Sequence, residues 1–278
     1  MFNRYILLIL ALVCYLSGNA QLSTSKLFFD HLTTEEGLAH NYILSIFQDE
    51  DGFVWLGSDN GLNRYDGQHI DILSSNTKPA LGGNRIRRII QDKSKTLWIL
   101  HENGLDMMDH YTQHIRSFLY GRELKKHILG FGLDDNGDLA AFTESDILLY
   151  NSNSGSFDIK QTAPANFLFS AFVKCGNRYY LGTRRHGIIV YNENWKLLEH
   201  IYPTSIQGGI LEDGLISLLR VDSNGSIWSV MAGLCIQKYD PVTRIVQTYP
   251  LSAHSVINRE VRDIIELNAD YMLVGTFN

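Results

Sequence analysis

The sequence predicts an all-β protein, a β-propeller of four-stranded antiparallel blades. Three observations predict it. A segment of about 44 residues recurs along the chain, each copy divides into short apolar runs separated by turn residues, and helical periodicity is sustained nowhere. The composition agrees with a large core: of 278 residues, 45% are hydrophobic and 19% charged, which excludes a disordered tail, a fibre or a small disulfide scaffold. Lys and Arg number 24 against 30 Asp and Glu, a net charge of −6. No broad basic surface for nucleic acid is implied.

The clearest copy, ILSIFQDEDGFVWLGSDNGLNRYDG, starts at Ile43. Others start at Arg88, Leu129, Phe169 and Ile216, and a last one from Val261 stops partway. Aligning them on Trp55 gives the anchors Trp55, Trp98, Ala140, Tyr180, Trp228 and Leu273, at intervals of 43, 42, 40, 48 and 45 residues. An acidic residue stands six positions before the anchor in four copies, as Asp49, Asp92, Asp134 and Asp222, whereas Lys174 and Leu267 depart from the rule.

Within a copy the elements follow in order. Ile43-Leu44-Ser45-Ile46-Phe47 is apolar on both faces, as expected of an inner strand packed between two neighbouring blades. Asp49-Glu50-Asp51-Gly52 and Asp222-Ser223-Asn224-Gly225 are tight-turn sequences, with glycine supplying positive φ and aspartate a local side-chain bond. A second strand carries the anchor and Gly57, a second turn spans Ser58-Asp59-Asn60-Gly61, and a third follows Tyr65-Asp66-Gly67. The fourth, outer strand runs from His69 to Leu73. Trp55, Trp98 and Trp228, in strict register, read as wedges between blades rather than as a platform for stacking sugars.

The chain divides into a signal peptide, residues 1–20, and a partial propeller, residues 21–278. Arg4 supplies the positive start, residues 5–16 an apolar run short of the roughly 20 residues that span a bilayer, and Gly18-Asn19-Ala20 the small residues of a cleavage site. Cys14 lies in the leader, and Cys175 and Cys235 are expected to be two separate, mostly buried thiols, the first near a hairpin turn and the second inside a strand. Lys26 to Leu32 reads as an outermost strand, like Arg244 to Tyr249 before the last blade. Thr276-Phe277-Asn278 follows the second strand of blade six. The expectation is therefore five blades and about half of a sixth, an incomplete, open propeller belonging to a longer product or a truncated gene.

Asp49, Gly52, Val54, Trp55, Leu56, Gly57, Ser58, Gly61, Leu62 and Tyr65 together carry a pattern that resembles the two-component regulator propeller repeat. Glu36 to Asn41 is similar to the segment that opens such sensor domains. The resemblance runs over residues 27–278, strong in the first copy, good in the second and fifth, and degenerate in the third and fourth. It implies the periplasmic half of a hybrid two-component sensor of Bacteroidetes that recognises an oligosaccharide and signals, through a dimeric region, to a histidine kinase. The full-length relative would sit in the inner membrane, anchored by a C-terminal part that this chain lacks. No kinase, receiver or helix-turn-helix motif is present. Two other classes stay open: an exported protein-binding or structural propeller without a small ligand, and a propeller glycosidase or lyase.

The residues give no catalytic set. In a sialidase-type Asp-box the aspartate lies two before the turn glycine, whereas here it lies three before, in Asp49/Gly52, Asp134/Gly137 and Asp222/Gly225. Asp134-Asp135-Asn136-Gly137-Asp138 lacks the alternation and distal glutamate of a calcium loop. The ten histidines show no ligand spacing. No metal and no cofactor is predicted. Ligand recognition is left to the loops leading into the inner strands, where Asn41, Asn84 and Asn166 recur in register and read as structural. The non-periodic Arg85, Lys125, Lys126 and Arg259 are the candidate ligand-binding residues, suited to a carboxylated or sulfated saccharide.

Overall fold

The computed structural model describes residues 31–134, 136–201, 214–251, 260–268 and 271–277. The predicted leader, most of the strand read at Lys26 to Leu32, and Arg259 lie outside the described residues. Blade 1 comprises β1 (Ile43–Gln48), β2 (Val54–Ser58), β3 (Gly61–Tyr65) and β4 (Ile70–Leu73). Blade 2 comprises β5 (Ile86–Gln91), β6 (Leu97–His101), β7 (Gly104–Met108) and β8 (Ile115–Leu119). Blade 3 follows as β9 (Gly130–Leu133), β10 (Leu139–Phe142), β11 (Asp146–Asn151) and β12 (Ser156–Thr162). Blade 4 holds β13 (Phe169–Cys175), β14 (Arg178–Thr183), β15 (Ile188–Asn192) and β16 (Leu197–Ile201). Blade 5 holds β17 (Ile216–Val221), β18 (Ile227–Met231), β19 (Cys235–Tyr239) and β20 (Val246–Pro250). A two-stranded sheet of β21 (Glu260–Asn268) and β22 (Tyr271–Phe277) completes the array. Each four-stranded sheet is ordered sequentially from inner to outer strand. The sequence-predicted propeller of five blades and part of a sixth is the observed fold.

The six-residue spacing from aspartate to anchor has a specific cause. Asp92 Oδ1 accepts hydrogen bonds from the Ser94 and Thr96 amides at 2.8 and 3.0 Å, closing the β5–β6 turn. Its Oδ2 accepts from Trp98 Nε1 at 2.8 Å. Asp49 holds Asp51, Phe53 and Trp55 in the same way, and Asp222 holds Asn224, Ser226 and Trp228. Asp134 clamps only the turn, through the Asn136 and Asp138 amides, because its anchor is Ala140. One carboxylate thus satisfies both a turn and an indole that would otherwise be buried without a partner. Gly52 and Gly225, at φ +90° and +80°, supply the left-handed residue each turn needs, a place that Lys95 fills in blade 2.

Packing is between consecutive blades. Trp55 joins Ile86, Ile89 and Ile99 of blade 2 in one cluster, and Trp98 joins Phe131, Leu139 and Ala141 of blade 3 in the next. Close approach depends on Gly57 and Gly182, where an added Cβ would lie 2.7 and 2.6 Å from Ile86 Cγ2 and Ile216 Cγ2 of the following blades. Trp228 is a partial exception. It is half-buried, stacks on Tyr249 and carries Lys238 over its ring, since only a two-stranded sheet follows it.

One expectation is corrected. The inner strand β1 is not packed on both faces: Ile46 is 71% exposed, whereas its register equivalents Ile89 and Leu219 are buried. Those residues bury against the preceding blade, and no described sheet packs on that face of blade 1. Leu273 marks the opposite face of the array, 53% exposed where Trp55 and Trp98 are buried. The two cysteines are as expected. Cys175 is half-buried at the end of β13, and Cys235 is buried in β19, where burial pushes its thiol up to about 11.

Candidate functional site

The sheets direct two kinds of connection to opposite ends of the array. The aspartate turns lie at one end. The connections leading into β1, β5, β9 and β13, with the turns between second and third strands, lie at the other. At that second end a cleft of about 630 Å³ opens between blades 1, 2 and 6. Arg85, Arg87 and Arg262 line it together with Tyr42, Ile43 and Thr276, and no described acidic residue is among its walls.

The loop that presents Arg85 is fixed from below. Asp106 Oδ2 accepts from the Gly82 amide at 2.8 Å, just as Asn63 Oδ1 accepts from Ala39 in blade 1. Asn103 Nδ2 donates to the Gly82 carbonyl at 3.0 Å. The Glu102 carboxylate accepts from the Asn84 and Arg85 amides at 3.0 and 2.8 Å. Burial opposes ionisation of Glu102, but these amide bonds outweigh it and hold the carboxyl below its usual range. His101 and Asp106 lie fully buried under this loop, 3.3 Å apart. Arg85 Nε in turn pairs with Asp59 at 2.8 Å.

The predicted ligand-binding residues are not brought together. Arg85 lines the cleft, with Asp59 as a structural partner. Lys126 is spent within the fold: its Nζ donates to Asp146 Oδ2 at 2.5 Å and to Ser145 Oγ at 2.7 Å. Lys125 is exposed and outside the cleft lining, and Arg259 is not among the described residues. The periodic asparagines do have structural roles. Asn41 and Asn84 each accept an amide bond at 2.7 Å, from Thr34 and Ser75, and Asn166 takes the left-handed conformation at φ 72°. Arg87 and Arg262 were missed by sequence reasoning. Their signal was an arginine on an inner strand, where other copies carry apolar or small residues.

The Lys126 contact has a consequence for acid stability. Burial raises the Asp146 carboxyl, but bonds from Lys126, Thr162 and Ser145 outweigh this and hold it below the carboxylate range. Asp222 is lowered in the same balance by Trp228, Lys238 and the Ser226 amide. A depressed folded-state pKa stabilises the fold above the unfolded value, about 4, and that contribution is lost as pH falls through the lower folded value. Thermal melts followed by circular dichroism should therefore be flat from pH 7 to 5 and fall below about pH 4. Asp146→Asn should flatten the acid slope, and an unchanged slope would contradict this assignment.

Comparison with known proteins adds a family signal at the first blade. Residues 37–60 match the family model described as "Two component regulator propeller". No curated protein matches the chain significantly by sequence. Among solved structures, the extracellular domain of the hybrid two-component system BT3049 from B. thetaiotaomicron is similar at a TM-score of 0.68 and 19% identity. That similarity covers 89% of this chain and 34% of that one, so the chain spans about a third of the relative's length. PorZ, a surface component of the type-IX secretion system of Porphyromonas gingivalis, is similar at 0.67 and 14% identity, over 89% of this chain and 40% of that one. Virginiamycin B lyase from Staphylococcus aureus is similar at 0.63 and 13%, over 80% and 73% of the two chains. At these identities the similarity carries the propeller fold.

Proposed function

We propose, from the match of residues 37–60 to the two-component regulator propeller model, that the chain is the ligand-sensing part of an exported two-component sensor. Its ligand is a carbohydrate with anionic groups, held at the arginine-lined cleft, and its signal passes through a dimeric periplasmic region to a kinase. The cleft is the observation that carries this reading. Arg85, which keeps its ion pair with Asp59, and Arg87 and Arg262 bring three guanidinium groups to its walls, an attractive surface for negative charge on a chain whose net charge is −6. Guanidinium forks suit carboxylate and sulfate groups, which accept two parallel hydrogen bonds. Tyr42 adds a ring at the same wall.

Periplasmic placement is the reading favoured by the extracellular origin of the BT3049 domain. No helix among the described residues is long and apolar enough to cross a membrane. A second reading is an exported protein-binding or structural propeller without a small ligand, and PorZ, a surface component of a secretion system, is similar at nearly the same TM-score as the sensor domain. Isothermal titration of the chain against matched neutral and uronic-acid oligosaccharides separates the two. The sensor reading expects heat from the acidic series, and Arg87→Ala should weaken binding by roughly tenfold, the loss of one charge-assisted contact. Folded protein that gives no heat with any saccharide would favour the structural reading.

A further inference from the structure

A second cavity, of about 490 Å³, opens towards the end where the aspartate turns gather. Its walls come from the inner strands of blades 2 to 5. They include Arg88 of β5, Phe131 of β9, Phe172 and Lys174 of β13, and Arg220 of β17. This is an unusual place for charge. Arg220 occupies the register position of Phe47 in β1 and Ile90 in β5, each paired with a tryptophan anchor.

Most of the polar groups here are committed. Arg220 pairs with Asp263 of β21 at 2.8 Å and donates to the Leu219 carbonyl at 3.1 Å. Lys174 Nζ donates to the Asp134 carbonyl at 3.3 Å, and Asp134 Oδ1 accepts from its turn amides. Arg88 is different. Among the described residues its guanidinium has no hydrogen-bond or ion-pair partner, and its closest ring contact is Phe131, at 6.0 Å. Burial, then the like charge of Arg220, push its pKa down to about 10, with Asp263 only partly offsetting them. It stays protonated at neutral pH. The cavity therefore gathers three cationic side chains, Arg88, Lys174 and Arg220, against two carboxylates, Asp134 in its wall and Asp263 on Arg220, and the N–H donors of Arg88 meet no acceptor among the described residues. Such an excess is stabilised most directly by an anion that accepts several of those donors at once.

We propose that this cavity is a binding site for one free oxyanion of sulfate or phosphate size, held between Arg88 of blade 2 and Arg220 of blade 5. Because these blades are not neighbours, the bound anion ties opposite sides of the array together. Binding to the folded state alone then raises stability with anion concentration in a saturable way. The site is separate from the arginine-lined cleft and does not depend on what that cleft binds.

The test is equilibrium dialysis of the chain with radiolabelled sulfate, at ionic strength held constant with sodium chloride, together with thermal melts on the same samples. The expected result is one sulfate bound per chain and a melting temperature that rises and then saturates. Arg88→Met should weaken sulfate binding at least about tenfold and remove the saturable rise. Arg88→Lys, which keeps the charge and the fold but loses the planar fork, should bind with intermediate affinity. Sulfate binding equal to wild type in either folded variant would overturn the proposal. So would the absence of saturable binding, or a melting-temperature rise that sodium chloride reproduces in full.

Discussion

Asp92→Ala is expected to destabilise the chain by about 3 kcal/mol, a large change for a single surface-turn aspartate. Two effects add. The β5–β6 turn loses its acceptor for the Ser94 and Thr96 amides. The indole of Trp98, fully buried, loses the acceptor of its N–H. A hydrogen bond to a charged acceptor contributes about 1.5–3 kcal/mol, and an orphaned buried donor costs about as much again as it loses. Trp98→Phe, which keeps the ring and removes the donor, should cost about 1–2 kcal/mol. Urea denaturation of both single variants and the double variant gives the coupling. The double variant should fall short of the sum by about 1 kcal/mol, because the indole bond is removed only once. Strict additivity would show that the two groups do not share an interaction.

The second large effect is steric. Gly182→Val places a branched side chain where even a Cβ would lie 2.6 Å from Ile216 Cγ2 and 3.2 Å from Ala171 Cβ. Blade 5 must move away or Ile216 must leave its rotamer, at a cost of about 2–3 kcal/mol. The remedy is predictable from blade 3. There the same register position holds Phe142, and the paired inner strand answers with Gly130, whose added Cβ would meet the Phe142 ring at 2.7 Å. Bulk on one strand is matched by its absence on the other. Pairing the smaller change Gly182→Ala with Ile216→Ala, which removes the Cγ2 that an added Cβ would strike, should cost less than the sum of the two single variants, measured by urea denaturation. Strict additivity would contradict the size-matching account.

The fold was legible because its signals repeat. Trp55, Trp98 and Trp228 could be aligned without structural knowledge, and the turn glycines marked where each hairpin reverses. What the alignment could not supply was the reason for the spacing. Six residues is the distance at which an aspartate can close its turn and still reach an indole on the returning strand. That becomes visible only when Phe47 and Trp55, or Ile90 and Trp98, stand opposite each other. The binding residues were less legible for a different reason. Lys126 looked available because it is polar and non-periodic, but its acceptor, Asp146, is 20 residues on and carries no motif. Arg88 and Arg220 were hidden inside runs that read as core strands, and 132 residues of sequence separate two groups that share one cavity. Arg87 and Arg262 belong to the same blind spot. An arginine where other copies carry apolar or small residues is the signal that would have found Arg87, Arg220 and Arg262.

The bonds between blades carry a consequence for how the chain reaches its fold. Glu50 to Gln91, Lys95 to Asp51, Lys93 to Asp138, Ser170 to Ile216 and Ser223 to Glu266 span 41 to 46 residues each, always joining one blade to the next. Every hairpin within a blade is shorter still. Structure can then accumulate one blade at a time, with each finished sheet offering a template face to the sheet that follows. Loop-closure entropy is met in small, equal steps rather than in one long-range search. A chain delivered from one end, as through a translocation pore, could begin folding well before its last residue emerged.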